Sequence, residues 1–401
     1  MKPTNPVFAG IDTTVFETMS RLAMAHDAVN LGQGFPDVDG PDDIRKVAAT
    51  ALMDGPNQYP PMLGLPELRE AVATSNKRFY GLDIDPHSEV LVTSGATEAL
   101  ADCIFALVAP GDEVVLIEPL YDCYLPLVKR AGGIPVRVRV TPPDWTLDAD
   151  ALRNAFSDKT KVLLLNNPMN PTAKVFSEAE LRLIADLCRR HDAYAVCDEV
   201  YEHLVFDGHS HRPLMTFEGM RERTVRIGSA GKTFSLTGWK VGYVTGPALM
   251  LDPIAKAHQW LTFTTAPNLQ RAVAYGLAKD DSYFTGLTQD LMAKRDRMAK
   301  GLAELGFSVL PSAATYFLTC GIEGLDLGSS DVDACQTLVR EAGVAAVPVS
   351  AFYGDDAPTG YIRFCFCKKE AVIDEALARL ASFLSAGRAN PHSLVQRKLA
   401  E

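Results

Sequence analysis

Lys232 closes the run Gly228-Ser229-Ala230-Gly231-Lys232, a Gly/Ser turn set directly after the β-branched stretch 224–228. A lysine amine attacks a carbonyl carbon only when neutral, so such a lysine needs a site that lowers its pKa. Alone, Lys232 would read as a solvated surface lysine; its place on a turn after a buried strand argues for chemistry. The run also imitates a nucleotide phosphate loop, and Ala195-Val196-Cys197-Asp198-Glu199 imitates the acidic strand of such enzymes. That pattern needs glycine six residues before the lysine, where Arg226 stands, and the acidic strand comes too early in the chain. An ATPase is therefore set aside.

Two further charges sit in apolar settings. Asp198 ends the stretch 194–197, and a buried carboxylate needs a cationic partner. The plainer reading of Asp198 is a helix N-cap. Arg363 lies within Tyr361-Ile362-Arg363-Phe364. It needs an anion, either a ligand carboxylate gripped by both arms of its fork or a structural Asp or Glu. His203, His209 and His211 surround a Gly/Ser turn without an evident Cys or carboxylate set, so no metal is expected. Trp239 and Trp260 read as core or interface.

The elements that position these residues follow one grammar. β-branched runs at 90–93, 114–117, 134–140, 162–166, 194–198, 224–228 and 241–245 alternate with helical patterns. Ser177 and Glu180 read as a capping box opening a helix over 177–191. Strands alternating with helices predict an α/β protein with a mostly parallel, seven-stranded sheet covered on both faces. Ligands gather beyond the carboxyl ends of such strands. Ser94 to Thr97, Tyr121, Asn166, Asn167, Asn170, Asp198 and Ser229 to Lys232 all fall there, which predicts one pocket fed by several loops.

After residue 287 a long charged helix and short strands predict a smaller α+β domain. We expect an N-terminal arm over 1–40 that packs on that domain, a large domain over 41–286, a small one over 287–386 and a polar tail over 387–401. The 401 residues are 47% hydrophobic, enough for a large core, and the net charge of -11 with no basic run excludes a sequence-blind nucleic-acid binder. No apolar stretch approaches a membrane span, the start lacks a signal-peptide core, and the eight cysteines form no C-x-x-C pair. A cytoplasmic protein with reduced, buried thiols is expected. Cys365 and Cys367 alternate and should share one strand face.

The segment 228–242, GSAGKTFSLTGWKVG, resembles the lysine loop of class I/II aminotransferases of fold type I, which depend on pyridoxal 5'-phosphate (PLP). The resemblance is strongest to the kynurenine aminotransferase and glutamine transaminase K subgroup. NLGQGFPD at 30–37, NQY at 57–59, DCY at 122–124, NPMNP at 167–171, KVF at 174–176, DEVY at 198–201, PVSAFY at 348–353 and YIRFCF at 361–366 match that subgroup in order. Eight motifs in register are far more specific than one.

The resemblance implies roles. Lys232 would hold PLP as a Schiff base and act as general base, and Asp198 would keep the pyridine nitrogen protonated. Tyr201 and Asn170 would bond the cofactor's phenolic oxygen, although alone they read as a core tyrosine and a turn asparagine. Tyr121 would stack on the ring; by residue type it is equally a core aromatic. Gly95, Ala96 and Thr97 sit where a strand turns into a helix, so their N–H groups can face the phosphate. Ser229 would add a hydroxyl and Lys240 a charge, as a point charge where most aminotransferases carry arginine. Tyr59 would reach the phosphate of a neighbouring subunit, which requires a homodimer.

Arg363 and Gly34 would meet the substrate carboxylate. Phe16, Phe263 and the stretch 262–265 would set specificity; Phe16 and Thr264 replace the subgroup's usual tryptophan and histidine. Ala173 replaces a usual glycine, so the backbone there is expected to avoid glycine-only angles. The implied activity is ping-pong transfer of an amino group from glutamine, methionine, kynurenine or an aromatic amino acid to a 2-oxo acid. Transfer from succinyldiaminopimelate, and β-elimination from cysteine S-conjugates, are the alternatives. A PLP-fold regulator would carry an added DNA-binding domain, and only a short arm precedes the matching region.

Overall fold

The computed structural model describes residues 2–11 and 13–389. The main sheet is built from β1 (Val90–Thr93), β2 (Glu113–Glu118), β3 (Ile134–Thr141), β4 (Thr146–Leu147), β5 (Thr160–Asn166), β6 (Tyr194–Asp198), β7 (Thr224–Ser229) and β8 (Gly242–Thr245). Their spatial order is β1-β8-β7-β6-β5-β2-β3-β4. Neighbours from β7 through β3 run parallel, while β8 lies antiparallel between β1 and β7. The expected seven strands are all present. The eighth, β4, has two residues that fold back antiparallel on β3, too short to show in a sequence pattern.

Alternation along the central strands explains why the sheet is buried on both faces. Val115, Leu163, Leu165, Ala195 and Cys197 enter one core cluster, and Val114, Val162, Leu164 and Val196 enter the other. The helix Glu178–Arg190 carries the predicted capping box between Ser177 and Glu180. Register then does the positioning. Asn166 pairs with Asp198, and Asp198 with Ile227, so β5, β6 and β7 end side by side.

A second sheet, ordered β9-β10-β12-β11, combines β9 (Ser308–Val309), β10 (Phe317–Gly321), β11 (Val347–Pro348) and β12 (Tyr361–Cys365). Arg363 sits in its inner strand, paired with Thr319 on one side and Val347 on the other. The N-terminal segment joins here: Val29–Asn30 pairs in parallel with Val344–Ala345, and Cys365 N donates to Leu31 O at 2.7 Å. The long helix is Asp281–Leu305, six residues earlier than expected at its start. The added first turns bury Phe284. From residue 390 the expected tail lies outside the described residues. Among the described residues, no helix is long and apolar enough to cross a membrane.

Candidate active site

The ends of β5, β6 and β7, the start of helix Ala96–Leu107 and the inner strand β12 surround a cavity of about 380 Å³. Of the fifteen residues individually assigned a cofactor or substrate role from the sequence, thirteen line it; Tyr59 and Phe263, like the rest of the stretch 262–265, do not. Those two pack ring against ring, with centroids 5.4 Å apart, and Tyr59 is 83% exposed.

Lys232 stands on the short helix Ala230–Thr233 directly after β7. Its Nζ donates to Tyr316 Oη at 2.8 Å and lies 3.5 Å from Gly34 O. Burial lowers the pKa of its amine, against the pull of the Cys367, Cys365 and Asp198 groups. A neutral amine facing a cavity can act as nucleophile or base. Gly34 is held tight here: a Cβ would come 2.7 Å from the Phe317 ring.

Asp198 is 5% exposed at the end of β6. Tyr124 Oη donates to its Oδ2 at 2.6 Å and Val200 N to its Oδ1 at 3.4 Å. Burial raises the carboxyl's pKa, and the bond from Tyr124 opposes this. Among the described residues no lysine or arginine lies within ion-pair distance of Asp198. A buried carboxylate of this kind, beside a cavity, accommodates a ligand bearing an N–H cation.

The helix Ala96–Leu107 starts at Gly95, with φ +85° and no side-chain cap, so its first N–H groups remain for an anion. A Cβ on Gly95 would sit 3.2 Å from Lys240 Cε and 3.4 Å from its Nζ, which places the ammonium beside those N–H groups. Ser229 and Thr97 line the same cavity. Tyr121 stands edge-on to Tyr124, centroids 5.8 Å apart. Tyr201 meets Tyr316 edge-on at 5.3 Å, with Lys232 Nζ 5.6 Å from the Tyr201 ring.

Arg363 is 1% exposed. Its Nη1 donates to Asn170 Oδ1 at 2.8 Å and its Nη2 to Gly32 O at 2.9 Å, while Nε has no partner. Its guanidinium lies 3.9 Å from the Phe317 ring centroid and 5.2 Å from that of Phe16. The structural ion pair considered from the sequence is not found: among the described residues no carboxylate lies within bonding reach. Asn170 Oδ1 is committed to Arg363, which leaves its NH₂ as the donor available to a ligand.

Two expectations need correction. Ala173 adopts φ +58°, the left-handed conformation it was expected to avoid. Bonds from Ala173 N to Met169 O at 2.8 Å and from Met169 N to Lys174 O at 2.9 Å hold it there. The second concerns His211, which does meet carboxylates. Its Nε2 lies 3.0 Å from Glu199 Oε2, and Glu202 belongs to the same cluster. Arg226 fills that cluster with the compensating charge, bonding Glu199 at 2.5 Å and Glu202 at 2.8 Å.

Sequence reasoning gave no role to Tyr316, or to Tyr124 beyond its place in the DCY motif. The physical signal at both was a phenol hydroxyl, which must find a partner when buried. It also missed a brace behind the anion-facing turn. Glu98 accepts from His258 Nδ1 at 2.7 Å and from the Thr262 hydroxyl, and Ser94 Oγ lies 2.8 Å from Thr265 Oγ1. The stretch 262–265 is thus anchored to the start of helix Ala96–Leu107.

The sequence model of aminotransferase class I and II matches residues 26–380. The chain belongs to the class I and II aminotransferases. It is 40% identical to the methionine aminotransferase of Escherichia coli over 370 residues, covering 92% of this chain and 96% of that one. It is 38% identical to human kynurenine–oxoglutarate transaminase 3 over 396 residues, covering 92% and 87%. The solved structure of N-succinyldiaminopimelate aminotransferase from Mycobacterium tuberculosis superposes with a TM-score of 0.92 at 45% identity, covering 95% of this chain and all of that one.

The protein is therefore a PLP-dependent aminotransferase of fold type I. The aminotransferase cavity fits PLP on its own terms. It offers a desolvated amine, a buried carboxylate that pairs with no cation among the described residues, and an uncapped helix start with Lys240 beside it.

Proposed function

We propose that this aminotransferase takes L-amino acids with neutral or aromatic side chains, of the glutamine, methionine or kynurenine type, and passes the amino group to a 2-oxo acid. The carrying observation is Arg363, a buried guanidinium on the cavity wall with no carboxylate among the described residues to pair it. It is the seat for the substrate α-carboxylate, with Gly34 and Asn170 beside it. Phe16, Phe35 and Phe317 line the cavity with aromatic surface, which suits an uncharged side chain. Relatives named for methionine and kynurenine support this reading. The second reading, succinyldiaminopimelate as donor, has the support of the 45% identical structure named for that substrate.

PLP, when bound, supplies an electron sink for the substrate's α-carbon. The chain supplies the rest. Lys232 Nζ would hold the cofactor and move the proton at the substrate Cα. Asp198, oriented by Tyr124, would keep a proton on the ring nitrogen. Asn170 and Tyr201 would bond the phenolic oxygen, and Tyr121 would back the ring. Gly95, Ala96, Thr97, Ser229 and Lys240 would hold the phosphate.

The working unit in this reading is a cytoplasmic homodimer in which Tyr59 and Phe263 serve the partner's site. Residues 41–286 form its large domain and 287–386, with the arm 1–40, its small one. Lys232→Ala tests the core of the reading. Turnover, read as oxo-acid formation across a donor panel, should vanish while circular dichroism and phosphate-dependent cofactor binding persist. Retained turnover overturns it.

A further inference from the structure

Cys365 and Cys367 have no part in the activity above, yet their placement is unusual. Their Sγ atoms lie 3.1 Å apart, both residues are buried, and neither is in a disulfide. Cys365 is the last residue of β12, the strand that carries Arg363 two positions earlier, and Cys367 lies just past it. A second, smaller cleft of about 40 Å³ reaches Cys367, the outer member of this pair, and is lined by Lys232 as well. Cys367, Lys232 and Tyr316 line its inner end, and Asp290, whose side chain is 56% exposed, lines its mouth.

We propose that Cys365 and Cys367 are a peroxide-sensing dithiol whose closure to a disulfide weakens binding of the amino donor. A small neutral peroxide fits a cleft of this size. The Cys367 sulfur attacks one peroxide oxygen: an S–O bond forms, the O–O bond breaks, and the departing oxygen leaves as water with the thiol proton. The Cys365 sulfur then attacks Cys367. An S–S bond forms, the S–O bond breaks, and the hydroxyl leaves as a second water with the Cys365 proton. The two thiols lose two electrons in total and the peroxide gains them. Contact at 3.1 Å needs to close to about 2.05 Å.

Closure is transmitted because this strand end holds the segment that frames the active site. Cys365 N donates to Leu31 O at 2.7 Å, and Lys368 Nζ donates to Phe35 O at 2.8 Å. Between those anchors lie Gly32 O, which holds Arg363 Nη2, and Gly34 O, which holds Tyr316 Oη at 2.7 Å and faces Lys232 Nζ. Drawing the sulfurs together by about 1 Å pulls on both anchors, and a displacement of that size at a binding group costs roughly tenfold or more.

The inference rests on the Arg363 reading for its effect on donor binding but not for the chemistry, so the test separates the two. Holoenzyme is treated with hydrogen peroxide, alkylated and cleaved with trypsin, which releases both cysteines in the single peptide 364–368. That peptide should lose two hydrogens and resist alkylation. The donor KM should rise roughly tenfold with a smaller change in kcat, and dithiothreitol should reverse both. Cys367→Val should show neither change, and Cys365→Ala serves if that variant does not fold. Peptide thiols that remain free at inactivating peroxide, or a Cys367→Val enzyme equally sensitive, overturn the proposal. A disulfide that leaves donor KM unmoved overturns the coupling. Should Arg363 prove to have no part in donor binding, the peptide result still decides the thiol chemistry.

Discussion

Tyr124 donates to Asp198 Oδ2 at 2.6 Å, a bond between the first residue of helix Tyr124–Ala131 and the end of β6 that neither segment shows in its own sequence. It counters the burial that otherwise drives the Asp198 carboxyl toward its neutral form. A hydrogen bond to a charged group contributes about 1.5–3 kcal/mol. Tyr124→Phe should therefore loosen PLP by roughly ten- to a hundredfold. The check is cofactor absorbance retained after dialysis, with circular dichroism to confirm an intact fold. Unaltered retention would make the bond incidental.

Arg363→Lys separates a donor-binding role from a structural one. Lysine keeps the charge but loses the planar fork and the stack on Phe317. Damaging one side of a buried charge-assisted contact costs about 2 kcal/mol or more, so donor KM should rise at least roughly thirtyfold, with kcat less affected. If Arg363 is only structural, the melting temperature will fall and KM will hold.

Lys232 makes a prediction about the cofactor-free protein. Burial lowers its pKa from the ordinary 10.5. Between the folded value and 10.5 the unfolded chain binds a proton that the folded chain does not, so stability rises with pH across that window. Below the window the folded protein carries the full penalty of a buried ammonium. Lys232→Met removes the penalty. Apo Lys232→Met should melt above apo wild type at neutral pH, and the gap should shrink as pH approaches 10.5. A gap independent of pH would show that the gain comes from packing alone.

How much of this was readable in advance follows from which forces act locally. Asn166, Asp198 and Ser229 were legible because each ends a β-branched run and parallel strands deliver such ends to one edge. Ser177 and Glu180 were legible because a capping box is written within four residues. Tyr124 and Tyr316 were not, since their partners lie 74 and 84 residues away in sequence. Ala173 misled for a related reason. The left-handed conformation costs a non-glycine residue about 1 kcal/mol, and hydrogen bonds on both sides of the turn outweigh that. His211 misled because its carboxylates come from the segment after β6, and only the fold reveals that Arg226 occupies them.

The Tyr59 ring lies outside its own chain's cavity, is 83% exposed, and rests on Phe263, within the stretch 262–265 anchored by Ser94 and Glu98. An exposed aromatic pair of this kind suits burial against a second copy. If Tyr59 completes the partner's phosphate site, two defective chains should repair each other. Tyr59→Ala and Lys232→Ala homodimers should each be impaired, the second fully. A heterodimer places the intact Lys232 of one chain with the intact Tyr59 of the other and so contains one complete site. Random pairing of equal amounts should then restore about a quarter of wild-type sites. Activity in the co-expressed mixture, compared with the two homodimers mixed after folding, measures this directly. No recovery above the homodimer sum would mean that Tyr59 serves its own chain or no site at all.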